Sequence, residues 1–573
     1  MTRSFLALTL FSLFLGACDD SGSKQNNTNN VNNVNNINNI NNINNINNVD
    51  NINNINNFNN QTVVEPDDPG AADLTVFVDA TEPEVPISPR IYGMNMGGAD
   101  ALPKAGIPFW RIGGNRWTAY NWENNASNAG SDWYYQNDAY LGGGATPGEA
   151  VAARLRLALS DGDAHVMVTL AMAGKVAADF DGPTDGGGAD AESDRFVNAC
   201  PAKPTAFAYP PDTGDDCAYQ DEFAHWLLGE FAADAGRIAF SLDNEPDLWS
   251  DTHSEIHPDA ATYAEVGAKS VALAAAVREV ATEADIYGYA GYGYAGFVNL
   301  QGAPDAGDHG DFIDYFLQTF AQAEVDHGAR LLDVLDVHWY PEARGGGERI
   351  TSDSAGDAIA AARMQAPRSL WDPDYEEDSW ISSDYLGGPI QLLPWFAGCI
   401  AANYPGTRLS ISEYYYGGGD HISGAIAQAD VLGILGREGV HAATLWHLGD
   451  TDDSFIHAAF DMFLNFDGDG ARFGGRGLVV QVSDTATFSA YAAKREGVDY
   501  ETTLVLINKR DVPVTVALRA RDYHQFAFGR VWQLGPDSPT PAEVDTFELS
   551  GVNAGILTLP AYTVTTVVLM PPL

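Results

Sequence analysis

Short runs of apolar and β-branched residues alternate with longer helical patterns through most of this chain, and that alternation limits the folds it can adopt. Eight runs qualify as strands, and helical patterns separate most of them. We therefore predict an α/β fold, a (β/α)8 TIM barrel. A doubly wound open sheet is the alternative, but no strand is followed by a Gly-x-Gly-x-x-Gly phosphate loop. The predicted strands are residues 91–95, 109–112, 165–170, 238–242, 285–288, 334–338, 409–412 and 443–446.

The predicted helices divide the chain into a long α/β region and a shorter all-β region. They cover residues 148–159, 222–235, 260–284, 312–325, 391–403 and 426–437. After about residue 473, alternating segments such as 503–507, 514–518 and 563–569 predict an additional antiparallel β-sandwich domain. Residues 74–78 also alternate, and we expect them to join that sandwich. The predicted boundaries are a signal peptide (1–17), a tether (18–70), an N-terminal sandwich strand (71–85), the barrel (86–475) and the sandwich (476–573).

The charge balance restricts the partners. The chain has 573 residues, 30 of them basic and 78 acidic, for a formal net charge of −48. Such a charge repels nucleic acids and anionic membrane surfaces. It disfavours polyanionic polysaccharides more weakly, so a neutral polysaccharide is the expected partner. A high acidic content can also reflect solubility in a salty habitat.

The N-terminus has the pattern of an export signal. Arg3 precedes an apolar run from Phe5 to Leu15, which is too short to span a bilayer. The following Leu15-Gly-Ala-Cys18 resembles a bacterial lipoprotein signal, which implies lipidation of Cys18 and an extracytoplasmic protein anchored to the membrane or cell surface. The alternative is an ordinary secretory signal cut near Ala17.

A low-complexity segment follows the signal. From residue 26 to residue 60 the chain repeats Asn-Asn-X, with an apolar residue or Thr at X. A period of three fits neither an amphipathic helix nor an alternating strand, so we predict a tether. A stacked β-solenoid or a self-associating segment is the alternative.

The cysteines predict one disulfide. Cys200 and Cys217 flank a Pro-rich loop, where a disulfide would form in an oxidising compartment. Cys399 would remain unpaired within an apolar helix face, where core packing is its expected role. No CxxC or HExxH zinc motif is present, and no loop matches an EF-hand.

Two glutamates stand at the ends of distant predicted strands. Glu245 follows strand four in Asp243-Asn-Glu-Pro246, and Glu413 follows strand seven in Ser412-Glu-Tyr-Tyr-Tyr416. A barrel gathers strand ends at one face, so these carboxylates are expected to lie together. Retaining cleavage of a glycosidic bond uses two carboxyl groups about 5–5.5 Å apart. Taken singly, either glutamate could instead be a helix N-terminal charge or a surface ion partner.

The segment from Arg111 to Trp133, with Arg111-Ile-Gly-Gly-Asn-Arg-Trp117 at its start, resembles glycoside hydrolase family 44. Further motifs follow in order: Asp243-Asn-Glu-Pro246, Asp336-Val-His-Trp-Tyr-Pro341, Ser412-Glu-Tyr-Tyr-Tyr-Gly417 and Leu559-Pro-Ala-Tyr562. The resemblance covers roughly residues 74–573. It implies a barrel with a sandwich, retention, and endo-cleavage of β-1,4-glucans such as cellulose-type chains and xyloglucan. It implies no cofactor for catalysis, although some relatives hold a structural calcium.

Roles follow from the chemistry of the two carboxylates. Glu245 is the predicted general acid/base, with a raised pKa, and Glu413 is the predicted nucleophile. Arg111 and Tyr340 are expected to hydrogen-bond Glu413 and keep it charged, with support from His338. Asn244 is expected to hold a sugar 2-hydroxyl. The candidate substrate-binding residues are Arg111, Trp122, Asn244, His338, Trp339, Tyr340 and Trp446.

Several alternatives remain at this stage. Trp122, Trp133, Trp339 and Trp446 can stack on sugar faces, but a single Trp is more often a core residue. Trp446, at the end of strand eight, is the strongest candidate. An endo-β-1,4-glucanase, expected to be a monomer, is the first function. A retaining barrel glycosidase of another specificity (xylanase, mannanase or arabinofuranosidase) is the second, and a non-catalytic carbohydrate-binding surface lipoprotein is the third.

Overall fold

A closed barrel of eight parallel strands forms the larger part of the molecule. The computed structural model describes residues 62–96, 106–160, 162–448 and 452–572. The predicted signal peptide, Cys18 and the Asn-rich segment lie outside these residues. Each barrel strand pairs with the next one along the chain, and strand eight pairs with strand one. Barrel strands one to eight are Gly93–Asn95, Phe109–Ile112, His165–Leu170, Ile238–Leu242, Ile286–Gly291, Val334–Trp339, Arg408–Tyr414 and Ala442–Leu445.

The inner face of the barrel changes from apolar to polar along the strands. One residue from each of six strands forms an apolar cluster of its own, separate from the main core: Phe109, Met167, Ala239, Tyr287, Val334 and Ala442. The neighbours of these residues along each strand pack into the main core instead. Because alternate residues of a strand point to opposite faces, the residues two positions further on also point inward, and they include Arg111, Ser241 and Asp336. The polar side chains therefore gather at the carboxyl ends of the strands.

Helices cover the outside of the barrel. The helix Tyr263–Val280 is capped at its N-terminus by Thr262, whose side chain accepts from the amide of Glu265, and it buries Val266, Leu273 and Val277. It is shorter than predicted at both ends. The longer helices are Glu149–Leu159, Gln220–Glu230, Tyr263–Val280, Phe312–His327, Asp357–Gln365, Leu392–Asn403, Ile422–Arg437 and Ser454–Leu464, and shorter ones are Asn115–Thr118, Trp249–Thr252 and Tyr294–Asn299.

Small sheets occupy the loops between barrel strands. One contains Lys175–Ala177, Phe196–Cys200 and Cys217–Tyr219, and a second contains Ser127–Asn128, Gln136–Asp138 and Gly182–Pro183. A hairpin joins Arg344–Gly345 to Glu348–Arg349. Cys200 and Cys217 form a disulfide with a Cα–Cα distance of 5.7 Å. Cys399 is a buried free thiol in the helix Leu392–Asn403, and burial raises its pKa to about 12.

Two sheets form the predicted sandwich. The first has the order Val479–Val482, Leu74–Asp79, Val514–Arg521 and Ala554–Leu559. The second has the order Val85–Pro86, Arg476–Gly477, Phe488–Arg495, Val498–Asn508, Thr563–Met570, Phe528–Gly535 and Ser538–Glu548. Their core joins Val76 and Val516 of one sheet to Leu504 and Val567 of the other. The N-terminal strand joins the antiparallel sandwich as predicted. It pairs antiparallel with Val479–Val482 and parallel with Val514–Arg521.

The folded body begins before the predicted end of the tether. The amide of Val64 donates to the carbonyl of Asp522 at 2.7 Å, and the amide of Asp67 donates to the carbonyl of Val552 at 2.9 Å. Glu65 forms a 3.0 Å ion pair with Arg521. Residues 64–67 therefore belong to the sandwich, because backbone pairing outweighs their Pro- and Asp-rich composition. Among the described residues, none of the helices combines the length and apolar character needed to span a bilayer.

Candidate active site

Glu245 and Glu413 come together at the carboxyl-terminal face of the barrel. Glu413 is within barrel strand seven, and Glu245 lies three residues beyond strand four, at the start of the short helical turn Pro246–Leu248. One oxygen of each carboxylate and Nδ1 of His338 all lie within 4.8 Å of one another. That separation suits a pair in which one carboxylate attacks directly, because the inverting arrangement needs about 6.5–9.5 Å to admit a water molecule.

The turn that presents Glu245 is held by a buried carboxylate. Asp243 adopts a φ of 67° and Glu245 a φ of 45°, values that non-glycine residues rarely adopt. The Asp243 carboxylate accepts from Thr118 Oγ1 (2.6 Å) and from the amide of Met172 (2.5 Å). It also accepts from the amides of Ala173 (2.9 Å) and Asn244 (2.8 Å). It thereby joins the loops after barrel strands two, three and four.

Both oxygens of Glu413 accept hydrogen bonds from buried or half-buried donors. Arg111 Nη1 donates to Oε1 at 2.6 Å, and the Tyr340 hydroxyl donates to Oε2 at 2.7 Å. The other side of the guanidinium donates to Asn244 Oδ1 at 2.6 Å, and Nη1 also reaches Asn95 Oδ1 at 3.1 Å. Because its oxygen is occupied by Arg111, Asn244 is left with its amide nitrogen as the group able to donate elsewhere.

The two carboxylates have different electrostatic surroundings. Burial raises the pKa of Glu245 to about 8; the positive charge of Arg111 opposes this shift, and the negative charge of Asp132 adds to it. Burial lowers the pKa of His338 to about 4, so its imidazole is neutral near pH 7. His338 Nδ1 lies 2.8 Å from Glu245 Oε1 and 3.5 Å from Glu413 Oε2. Near neutral pH, Glu245 therefore holds a proton that it can donate.

A cleft of about 560 Å³ opens near Glu245, because one of its lining residues, Asp132, is close enough for its charge to raise the pKa of Glu245. Trp446 lines it from the end of barrel strand eight, and Trp133, with 46% of its surface exposed, lines it from the loop after strand two. Gly114 has a φ of +102°, and a Cβ there would lie 2.3 Å from the Trp446 ring. Only glycine fits beneath this ring. The cleft thus offers two aromatic faces for sugar rings.

Comparison with known proteins assigns the family. The sequence model of glycoside hydrolase family 44 matches residues 126–343. Endoglucanase A of Paenibacillus lautus is 40% identical over 515 residues, which cover 86% of this chain and 72% of that protein. The chain belongs to glycoside hydrolase family 44.

Solved structures of this family have the same architecture. A Paenibacillus polymyxa xyloglucanase of family 44, solved with xyloglucan, superposes with a TM-score of 0.82 at 39% identity, over 87% of this chain and 100% of that chain. A family 44 endoglucanase from Clostridium thermocellum gives a TM-score of 0.82 at 40% identity, with the same coverage of both chains. The predicted barrel with an additional sandwich is therefore confirmed, and this family 44 chain is a glycoside hydrolase.

Some of the predicted substrate contacts are wrong. Trp122 has no exposed surface; its Nε1 donates to the carbonyl of Tyr219, and its ring stacks on Phe223 at 5.3 Å between centroids. Trp339 is only 2% exposed. Both indoles are core residues, because the strand and loop that carry them direct the rings into the protein.

Arg111 and His338 need a different correction. Both are 0% exposed, so they position Glu413 and Glu245 and do not touch a sugar. Three of the predicted substrate-binding residues are positioned to contact a sugar. Asn244 and Tyr340 adjoin the carboxylates, and Trp446 lines the cleft.

Sequence reasoning missed several residues of this family 44 site. Asn95, Asp132, Asp243 and Asp247 were not among the candidates, although Asp132 lies within the segment 111–133 and Asp243 begins the Asp-Asn-Glu-Pro motif. Asp247 is buried beside Glu245, and burial together with the charge of Glu245 raises its pKa to about 8. Position in these motifs was the available signal for Asp132 and Asp243; Asp247 directly follows the second motif, and Asn95 lies in neither.

The described residues offer one group whose geometry could hold a metal ion, and it is the Glu245, His338 and Glu413 set itself. Calcium prefers oxygen ligands, six to eight of them. A nitrogen and two carboxylates do not fit that preference. The structural calcium expected from the family resemblance is therefore not assigned to this set, and it stays a prediction.

Proposed function

We propose that this glycoside hydrolase cleaves internal β-1,4-glucosidic bonds of neutral glucans, of the cellulose or xyloglucan type, with retention of configuration. The observation that carries the proposal is the pair itself: Glu245 and Glu413 within 4.8 Å, one with a pKa near 8 and the other held by Arg111. The names of the relatives, an endoglucanase and a xyloglucanase, supply the substrate class.

In the first step Glu245 gives its proton to the glycosidic oxygen while a Glu413 oxygen attacks the anomeric carbon. The glycosidic C–O bond breaks, the shortened chain leaves as an alcohol, and a glycosyl ester forms on Glu413. The amide nitrogen of Asn244 is the donor best placed to hold a sugar hydroxyl next to the reacting carbon, because Arg111 fixes the amide orientation.

In the second step Glu245, now a carboxylate, takes a proton from water as the water oxygen attacks the anomeric carbon. The ester bond breaks, Glu413 leaves as a carboxylate, and Glu245 is protonated again. Two displacements at one carbon return the original β configuration. His338 lies beside both carboxylates. Because its imidazole is neutral near pH 7, it adds no positive charge that would lower the pKa of Glu245.

The proposal includes export and anchoring. Cys18 would be the lipidated first residue of the mature protein, and the Asn-rich segment would carry the folded body away from the membrane. Metabolic labelling with a fatty acid analogue in a bacterial host, comparing the wild type with Cys18→Ser, tests this part. Label and membrane association should both disappear in the variant. Equal label in both proteins would exclude lipidation at Cys18.

A substrate panel tests the activity. Carboxymethylcellulose, xyloglucan, lichenan, xylan and mannan are incubated with the wild type, Glu245→Gln and Glu413→Gln, and chain length is followed by viscosity and size-exclusion chromatography. We expect rapid shortening of at least one β-1,4-glucan by the wild type and a loss of at least about 10³-fold in each variant. Cleavage of xylan or mannan alone would refute the glucan assignment, and binding without cleavage would refute catalysis.

A further inference from the structure

One carboxylate on the cleft wall has no counter-charge. Asp132 lies in the short helical turn Gly130–Trp133 and lines the cleft next to Trp133. Its side chain is exposed, and within the described ranges it takes part in no ion pair and no side-chain hydrogen bond. An exposed surface carboxylate is normally a solvated group without a role. Asp132 differs from such a group because it lines the cleft that is expected to receive the sugar chain.

The other charges of the same wall neutralise each other. Arg116 donates to both carboxylate oxygens of Asp138, at 2.7 Å and 3.1 Å, and its guanidinium lies 4.3 Å from the ring centroid of Tyr140. Asp138 also accepts from Gln136 and from the amide of Tyr140. Arg116 is therefore fully engaged, and Asp132 is left as the uncompensated charge of this wall.

Asp132 also lies within electrostatic reach of the reacting groups. Its charge is one of the causes that raise the pKa of Glu245. Its neighbour Trp133 lies on the same wall and has 46% of its surface exposed. An aromatic face next to a carboxylate is well suited to a neutral sugar, whose C–H face stacks on the ring while its hydroxyls donate to the oxygens.

We propose that Asp132 is a specificity-determining residue, which accepts hydrogen bonds from the hydroxyls of an uncharged sugar unit and repels glucans that carry carboxylate substituents. This inference rests on the proposed glucanase function and goes beyond it by assigning charge selection to one residue. A carboxymethyl group, or a uronic acid branch, that enters this part of the cleft meets an unscreened negative charge.

The test compares two substrates that share a β-1,4-glucan backbone. Hydroxyethylcellulose is uncharged and carboxymethylcellulose is anionic, and kcat/KM is measured on both for the wild type and for Asp132→Asn. Asp545→Asn is the matched control, because it removes one exposed negative charge from the sandwich strand Ser538–Glu548. Each protein is assayed at about 0.01 M and about 0.5 M salt, where screening differs strongly.

We expect Asp132→Asn to increase the ratio of kcat/KM on the anionic substrate to that on the neutral one by about fivefold at low salt. The increase should shrink at high salt, and Asp545→Asn should match the wild type. Because the charge of Asp132 helps raise the pKa of Glu245, its removal should also move the alkaline limb of kcat/KM to lower pH.

Two results are decisive against the proposal. If Asp132→Asn cleaves hydroxyethylcellulose but has the same substrate ratio and the same alkaline limb as Asp545→Asn, Asp132 is an ordinary solvated charge and the glucanase function stands. If the wild type cleaves neither substrate but shortens xyloglucan or lichenan, the charge selection assigned to Asp132 fails and the glucanase function stands. If it cleaves none of the four, the glucanase function fails as well.

Discussion

Glu245 and Glu413 are chemically identical side chains that their neighbours make unlike. Glu245 contacts a neutral histidine and is largely buried, whereas Glu413 receives a guanidinium and a phenol hydroxyl. A buried carboxyl group next to a neutral partner favours its protonated form, whereas donors such as a guanidinium and a phenol hydroxyl fix the direction of the carboxylate oxygens that they bind. The division of labour between acid and nucleophile thus depends on Arg111, Tyr340 and His338.

The raised pKa of Glu245 predicts how activity and stability vary with pH. Activity requires protonated Glu245, so kcat/KM should fall as pH rises through about 8.

The stability of the fold should also depend on pH. The folded-state pKa of Glu245 exceeds the usual value of 4.5, so the folded protein loses stability relative to the unfolded chain as pH rises from about 4.5 to about 8. Glu245→Gln cannot ionise and should escape this loss. In thermal unfolding, the melting temperature of Glu245→Gln should rise relative to that of the wild type as pH increases. A difference in melting temperature that does not change with pH would contradict the raised pKa of Glu245.

Arg111 should affect both folding and turnover. Arg111→Met leaves Glu413 and Asn244 without their shared donor in a buried site, and loss of one partner of a buried pair costs about 3–5 kcal/mol of unfolding free energy. We expect that loss in urea unfolding, and a decrease of about 10²-fold or more in kcat with a smaller change in KM. Arg519→Met, an exposed arginine of the sandwich, is the control. A change in KM alone would show that Arg111 binds substrate, contrary to its 0% exposure.

Single residues show where sequence reasoning succeeds and where it stops. Glu245 and Glu413 could be predicted because strand ends converge in a barrel and the chemistry demands a pair. Trp122 could not be distinguished from a cleft residue, because the direction of an indole in a loop depends on partners such as Phe223, which are distant in sequence. Asp132 was missed for the same reason: its lack of a cation becomes visible only when Arg116 is seen to bind Asp138.

At the scale of elements, the ends of the barrel strands place the site. His338 and Glu413 are register partners in strands six and seven, next to a shift in pairing between Val337 and His338. Such irregularities redirect side chains locally. Strands two, three and four match their predicted bounds because short apolar runs with clear flanks define them. This register shift had no sequence signal, since it depends on how the strands close the barrel.

The contact between the loop after strand two and the end of strand eight should be sensitive to a single methyl group. In Gly114→Ala the Cβ would lie 2.3 Å from the Trp446 ring, so the ring must move. We expect kcat/KM on a soluble glucan to fall about tenfold or more, chiefly through KM. Gly497→Ala controls for backbone strain, because Gly497 also has a positive φ (+72°) but open space around it. Equal activity in both variants would show that Trp446 does not need its present position.

At the scale of the whole molecule, the sandwich depends on the N-terminal part of the folded chain. Leu74–Asp79 lies between two strands of its sheet and contributes Leu74, Val76 and Val78 to the core. The alternation of this strand was visible in the sequence, but its parallel partner was not, because the pairing joins segments more than 400 residues apart. Sequence composition likewise placed residues 64–67 in the tether, although backbone hydrogen bonds fix them to the sandwich.

Truncation should separate the folded body from what precedes it. A chain that starts at Thr62 retains every strand of the sandwich, so we expect unchanged thermal stability and unchanged activity on soluble glucan. A chain that starts at Glu82 lacks an inner strand of the four-stranded sheet and exposes the apolar core beneath it. It should be insoluble, or should unfold at least about 10 °C lower. Equal stability of the two chains would show that the strand adds nothing to the fold.

The configuration of the first product tests the double-displacement mechanism directly. A soluble cello-oligosaccharide is cleaved by enough enzyme to act within minutes, and the anomeric protons are followed by NMR before mutarotation equilibrates them. Because Glu245 and Glu413 lie within 4.8 Å, the β anomer should appear first and the α anomer later. Initial release of the α anomer would contradict the double displacement at Glu413.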